Sequence, residues 1–345
     1  MLKIGDKTIS EDSSTFIIAE AGINHNGSLE TAKKLVDVAV ESGADCVKFQ
    51  KRDLSSLYTP SMLKNPNLDS QGLHNMISLL KEVELSEENY KELTKYCESK
   101  GILFLCTPWD RNSVDFLESL NVKAYKISSA DLTNIPLIDY IASKNKPILL
   151  STGMSSEEEI EKTVNFLKNK NAQFAILHCN STYPSPFKDI NLRFMNRLKE
   201  KHDVIVGYSG HERGISPSLA AVAIGAKIVE RHFTLDKNMK GPDHSASLEP
   251  NELKQLVENI RNVESSLGKP HKKISRGEIL TRETLAKSIV AKEKIISGQI
   301  ITKDMLDIKG PGKGLSPQFL DNILNHPAKR DIEAEELFTE HDLPE

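Results

Sequence analysis

Eight short runs of aliphatic and β-branched residues punctuate the first three quarters of the chain, and segments with helical spacing lie between them. They begin near residues 15 (TFIIAE), 45 (DCVKFQ), 102 (ILFLCT), 122 (VKAYKIS), 147 (PILLST), 174 (FAILHC), 203 (DVIVG) and 226 (AKIVERHF). Strands that alternate with helices build a parallel sheet. Eight such units in roughly 265 residues match the size of a TIM (β/α)8 barrel. A doubly wound open sheet is the alternative. It would use fewer strands and offer a ligand only its switch point, whereas nearly every run here ends in polar, chemically able residues, which favours closure.

The clearest helical segments start at 29, 86 and 250; in the last, Leu253, Leu256, Val257, Ile260 and Leu267 share one face. Weaker helices fit near 112, 134, 190 and 217. Ser156 and Glu159 suit a capping box, Pro217 and Pro250 suit first turns, and Gly43, Gly101 and Gly268 suit C-terminal caps. An insertion over about 51–85 follows the second run, at the end where barrels carry functional loops. We therefore expect a barrel over 1–268. A basic, unpatterned linker would follow over 269–283, then a small domain over 284–345 with short strands around a Ser-Gly turn.

Bulk properties exclude several classes of function. At 345 residues the chain exceeds a single small module, and 45 basic against 49 acidic residues give a net charge of -4. That balance offers no strong attraction for nucleic acid or an anionic membrane. No apolar stretch approaches the ~20 residues of a spanning helix. Four cysteines without CxxC spacing, and an N-terminus without a basic-then-apolar pattern, predict a reduced, cytoplasmic protein.

Barrel geometry would gather the strand ends at one site: Glu20; Lys48 and Gln50; Thr107; Lys126, Ser129 and Asp131; Ser151 and Thr152; Ser181 and Tyr183; Ser209 and His211; Glu230 and His232. A lysine leaving the core is costly unless neutralised. Lys48 and Lys126 therefore either pair with barrel carboxylates such as Glu20 or Glu230, or face a bound phosphate or carboxylate. Two lysines beside Ser129, Ser151 and Ser209 favour the anion. His211 and His232 end adjacent strands, so their imidazoles can meet; such a pair suits a divalent metal completed by water or substrate, with structural histidines as the alternative. HExxH spacing is absent, which counts against a metal hydrolase. Asp243 and His244 sit in a Gly-Pro turn that an Asx-type turn with a surface histidine would equally explain. Cys106 and Cys179 read as small buried side chains, while Trp109 and Arg111 fit either the barrel mouth or ordinary packing.

The motifs FIIAEAGINHNG, GADCVKFQ, AYKISSAD, LLSTGM, HCNSTYP, GYSGHE, VERHFTLD and GPDHSASLEP, in that order, resemble the sialic acid synthase family. Those enzymes are carbon–carbon bond-forming transferases that condense phosphoenolpyruvate with an N-acetylmannosamine-type sugar. The tail from KSIVAKEKIISGQ onward is similar to the family's antifreeze-like (SAF) domain. The resemblance implies a domain-swapped homodimer and a divalent metal, manganese first, with magnesium or cobalt as alternatives. By resemblance His211 and His232 are metal ligands, with Glu212 and Arg213 supporting His211 from behind. Lys48, Thr107, Lys126, Ser129, Ser151, Ser181 and Ser209 surround phosphoenolpyruvate. Glu20, Gln50, Asp131, Tyr183 and Asp243 serve the acceptor sugar and proton movement, with Glu20 as base.

Three positions depart from the bacterial pattern: Asp131 stands for a glutamate, Ser181 for an asparagine and Gly310 for an arginine, for which Lys313 is a candidate substitute. GYSGHE and DHSASLEP also look like the animal branch, which uses a 6-phosphorylated sugar, so both acceptor types stay open. NHNG and GPDH argue against a pseudaminic acid product. A 3-deoxy aldulosonate-phosphate synthase using a phosphorylated aldose is the second enzyme reading. A non-catalytic carbohydrate- or ice-binding protein is the third.

Overall fold

The computed structural model describes residues 1–64 and 73–344. All eight expected strands form, as Phe16–Gly22, Cys46–Lys51, Leu103–Pro108, Tyr125–Ile127, Ile148–Ser151, Phe174–Cys179, Ile205–Gly210 and Ile228–His232. They pair in parallel in the order three-two-one-eight-seven-six-five-four, and strands three and four pack side by side without a hydrogen-bonded ladder. The result is a nearly closed TIM barrel.

Side-chain alternation along each strand makes two cores. Outward residues, among them Ile17, Val47, Phe104, Ile176 and Val229, join the helices in one large apolar cluster. Inward residues Ile18, Cys46, Leu105, Ala124, Leu149, Ala175, Ile205 and Ile228 form a second. An antiparallel hairpin, Leu2–Ile4 with Lys7–Ile9, adds Leu2, Ile4 and Ile9 to that inner cluster and plugs the barrel from below. Each such side chain contributes about 1.5–3 kcal/mol by leaving water. Two residues further along, the inward face turns polar: Ile18 is followed by Glu20, Cys46 by Lys48 and Gln50, Leu105 by Thr107, Ala124 by Lys126, Leu149 by Ser151 and Ile228 by Glu230 and His232. The period of two thus stacks a charged layer on an apolar one.

Helix ends follow the local signals. Ser156 and Glu159 form a reciprocal capping box before the helix Glu157–Asn169, and Gly101 ends Glu87–Lys100 in the left-handed region. Pro250 opens Pro250–Leu267. The insertion contains helices Leu54–Leu57, Pro60–Lys64 and Leu73–Val83. Its residues 65–72 lie outside the described residues.

The chain divides into two compact units, Met1–Gly268 and Lys269–Glu345. The second begins earlier than its strands suggest, because part of the expected linker is a helix, Arg276–Leu285. Ser275 and Glu278 cap it reciprocally, which supplies partners for end groups that a linker would leave to water. Within this unit Ser288–Ala291 pairs antiparallel with Leu306–Lys309 around a separate core that includes Ile289, Ile295, Ile301, Ile332 and Phe338. Among the described residues no helix is long and apolar enough to cross a membrane.

Candidate active site

The charged layer opens into a pocket of about 220 Å3 at the C-terminal ends of the strands. Lys48 Nζ lies 2.9 Å from Glu20 and 3.7 Å from Glu230, and donates to Thr107 Oγ1 at 2.9 Å. Lys126 Nζ donates to Ser151 Oγ at 2.6 Å and has its nearest Glu230 oxygen at 3.7 Å. Gln50 donates to Glu20, and Ser209 to Glu230, each at 3.0 Å. Both lysines thus have barrel carboxylates within ion-pair distance. Their partner Glu230 was named only as a strand end and pairing candidate.

Burial pushes the Glu20 carboxyl up, against the pull of Lys48. Burial alone would also raise Glu230, but Lys126 and Lys48 together hold it well below the usual carboxylate range. Lys126 is pushed down by burial despite Glu230. The sign of the Glu230 shift makes a prediction. A depressed folded pKa contributes stability that is present in full above the unfolded value of 4.5 and is lost as pH falls toward about 2. In urea titrations Glu230→Gln should lower stability most above pH 5, with the difference from wild type shrinking below 4.5; a constant difference across that range would contradict the pairing.

His211 and His232 face one another across the pocket wall, with ring centroids 5.4 Å apart. His211 Nδ1 donates to the Asn180 carbonyl at 2.7 Å, which fixes the tautomer and leaves Nε2 free to ligate. His232 Nδ1 is buried with no partner among the described residues. Gly22 makes room for that ring: at φ +55° it lacks a Cβ that would lie 3.2 Å from His232 Cε1. The strand register slips between Glu20 and Gly22, and such irregularities re-aim side chains beside functional sites. Burial pushes His232 down to about 4, so its imidazole is neutral at pH 7. Two imidazoles, one pre-oriented and one carrying an orphaned nitrogen, fit a divalent ion. Among the described residues no cluster of three or more His, Cys, Asp or Glu joins them.

Ser129 and Ser181 also line the pocket, where the backbone comes close: a Cβ on Gly153 would sit 2.1 Å from Ser181 Oγ and 2.8 Å from Ser129 Oγ. Tyr183 covers His211 with ring centroids 4.0 Å apart. Of the expected residues, then, Glu20, Lys48, Gln50, Thr107, Lys126, Ser129, Ser151, Ser181, Tyr183, Ser209, His211 and His232 all line this pocket. Asp243 instead lines an adjoining cavity of about 540 Å3 that shares Gln50, Trp109, Tyr183 and His232.

Three expectations change. Asp131 does not line the pocket; the one-turn 3-10 helix Ser129–Asp131 rotates it away, and its oxygens accept from Ser128 and Asn134, each at 3.0 Å. Arg213 is exposed, and Glu212 holds something other than His211. Glu212 accepts from Arg231 Nη1 at 2.8 Å and from the Tyr208 hydroxyl at 2.7 Å, while Arg231 Nη2 donates to the Glu212 carbonyl at 2.6 Å. This buried pair ties the loop after His211 to the strand carrying His232. His244, rather than lying on the surface, is buried and joins Thr234 to Asn26. Arg52 was missed. It follows Lys48 and Gln50 at the same strand parity and stacks on Trp109 with its guanidinium carbon 4.3 Å from the ring centroid.

Arg231→Met should cost about 3–5 kcal/mol in urea denaturation, because it leaves Glu212 charged and buried without its partner. Adding Glu212→Leu should recover much of that loss. A cost below about 1 kcal/mol for the single variant would show that the pair does not hold the loop.

The NeuB family matches residues 35–272, and the SAF domain matches residues 286–344. The chain is 44% identical over 336 residues to the N,N'-diacetyllegionaminic acid synthase of Campylobacter jejuni, covering 94% of this chain and 99% of that one. It is 42% identical over 328 residues to the N-acetylneuraminate-9-phosphate synthase of Homo sapiens, covering 94% and 91%. Among solved structures, the N-acetylneuraminic acid synthetase of Leptospira borgpetersenii in complex with citrate superposes with a TM-score of 0.72 at 33% identity, over 82% of this chain and 96% of that one.

Proposed function

Because the chain belongs to the NeuB family, we propose that it condenses phosphoenolpyruvate with N-acetylmannosamine or a related N-acetylated hexosamine and water, releasing phosphate and a nonulosonic acid. The observation that carries this reading is the convergence of Lys48, Lys126, His211 and His232 with several hydroxyls on one pocket.

Phosphoenolpyruvate brings a carboxylate and a phosphate. Lys126, with no carboxylate oxygen of the described residues closer than 3.7 Å, is the cation freer to turn toward them, while Lys48 stays bridged to Glu20. Ser129, Ser151, Ser181, Ser209 and Thr107 supply neutral donors around the same space. His211 and His232 would hold a divalent ion, manganese first and magnesium or cobalt as alternatives, whose chemistry there is to polarise the acceptor's aldehyde. C3 of the enol then bonds to the aldehyde carbon as the C=O π bond opens, and the aldehyde oxygen takes up a proton to become a hydroxyl. Water adds at C2 and gives up a proton, the C2–O bond breaks, and phosphate leaves. Glu20 would take that proton; burial raises its pKa, so it holds a proton more readily than an ordinary carboxylate. Gln50 and Tyr183, which line both cavities, and Asp243 in the larger would orient the sugar. We further propose that Asp131 acts only through Ser128 and Asn134, and that the working form is a domain-swapped homodimer to which Lys313 belongs as a substrate contact.

The test is phosphate release from phosphoenolpyruvate across a panel of hexosamines, pentose 5-phosphate and tetrose 4-phosphate, with the product mass determined and with chelator added. Release with a hexosamine, a product heavier by the pyruvyl unit, and loss of release on chelation are expected. Preference for the pentose or tetrose phosphate would favour a 3-deoxy aldulosonate-phosphate synthase, and release unaffected by chelation would remove the metal.

A further inference from the structure

The loop that follows the sixth strand closes on His211 at both of its ends. Its start supplies the Asn180 carbonyl, which accepts from His211 Nδ1 at 2.7 Å. Its end supplies the Ser185 N–H, which donates to the His211 carbonyl at 3.1 Å. Between these anchors Tyr183 lies over the His211 ring and meets His232 edge-on, with centroids 5.9 Å apart. One short loop therefore touches both imidazoles.

Two side chains keep the loop closed. Asn180 Oδ1 accepts from the Thr182 N–H, and Asn180 Nδ2 donates to the Asp189 carbonyl, each at 3.0 Å. Ser185 is 5% exposed, and its Oγ lies 2.8 Å from the Thr182 carbonyl and 3.2 Å from both the backbone and the side-chain oxygen of Asn180. Three carbonyl oxygens thus converge on a single hydroxyl proton. Without it they would repel one another, and the Thr182 carbonyl would lose its close donor. Ser185 is absent from the described walls of the pocket and of the larger cavity, so its influence on the chemistry runs through its neighbours.

We propose that Ser185 is a positioning residue for His211: by drawing the Asn180 and Thr182 carbonyls together it holds the acceptor of His211 Nδ1 in place, and so sets the affinity of the two imidazoles for a divalent ion that it does not touch. The inference rests on the synthase reading above, in which His211 and His232 hold that ion. An imidazole whose Nδ1 proton has a fixed acceptor keeps its Nε2 lone pair free and aimed. Where the acceptor drifts, the ring turns and samples the other tautomer, which carries its proton on Nε2 and cannot ligate there. Loss of such an outer partner typically lowers metal affinity about 10- to 100-fold. The Ser185 N–H belongs to the backbone, so Ser185→Ala keeps that anchor and removes the hydroxyl alone.

The experiment titrates the whole, metal-free chain with manganese and follows the free ion by electron paramagnetic resonance. Ser185→Ala should raise the Kd for manganese about tenfold, and Asn180→Ala, which loosens the other end of the loop, several-fold. Ser185→Thr restores the hydroxyl and should bring the Kd back to within about threefold of wild type. Long-range nitrogen–proton NMR spectra of the metal-free proteins at mildly alkaline pH should place the His211 proton on Nδ1 in wild type and Ser185→Thr, and show a mixture of tautomers in Ser185→Ala. At saturating manganese the KM for phosphoenolpyruvate should stay within about twofold of wild type. An unchanged Kd in both Ser185→Ala and Asn180→Ala would overturn the inference while leaving the synthase reading intact. Weaker binding with His211 still protonated wholly on Nδ1 would overturn the route through His211. Failure of the wild-type chain to bind manganese would overturn the inference together with the metal in the reading it rests on.

Discussion

Replacing His232 by alanine is expected to lower kcat by about a thousandfold while the protein still unfolds cooperatively. His232 ends the eighth strand, faces His211 and has no partner for its Nδ1 among the described residues. No described element therefore depends on a hydrogen bond from that atom. A metal that polarises a carbonyl is worth several kcal/mol at the transition state, and each 1.36 kcal/mol is a factor of about ten. The stability cost should be modest, since the vacated space opens on a polar pocket that water can enter. Gross unfolding of the variant would instead make His232 a core histidine. Near-wild-type turnover would remove it from the chemistry.

The second large effect is expected at Lys126. Lys126→Met should reduce kcat/KM for phosphoenolpyruvate by about a hundredfold or more, with little change in the acceptor KM. Stability should move the other way or stay level. Burial already pushes the lysine's pKa down, so its charge is costly to hold there, and an apolar side chain of similar length removes that cost. Glu230 keeps Lys48 and Ser209 as partners. Activity lost at constant unfolding midpoint is what an anion-binding lysine predicts; a parallel fall in both would mark it as a structural ion-pair member alone.

Most of the barrel could be read from the chain because alternation along a strand decides which residues face inward, and the inward face changes character at one height. Ile18 to Glu20, Ala124 to Lys126 and Ile228 to Glu230 are each a step of two. What linear order hides is ring closure. Strands one and eight pair directly, setting His232 beside Glu20, so Glu20, Lys48 and Glu230 form one cluster although 210 positions separate the first from the last. Asp131 defeated the rule because the chain leaves the strand register before reaching it, and a short helical turn follows no period of two. Arg52 obeyed the rule and was overlooked beyond the apparent end of its strand. The helix Arg276–Leu285 buries none of its residues, so it has no apolar stripe to announce it; only the Ser275 to Glu278 spacing marks its start. Glu212, expected with Arg213 to support His211, is instead paired with Arg231, a partner 19 positions away that linear order did not reveal.

Diffraction from crystals grown with manganese and phosphoenolpyruvate tests the shared pocket most directly. The account predicts an anomalous peak bonded by His211 and His232, with the enol's carboxylate and phosphate oxygens within hydrogen-bonding distance of Lys126, Lys48 and the surrounding serine hydroxyls. A peak elsewhere on the molecule, or phosphoenolpyruvate bound away from those lysines, would contradict it.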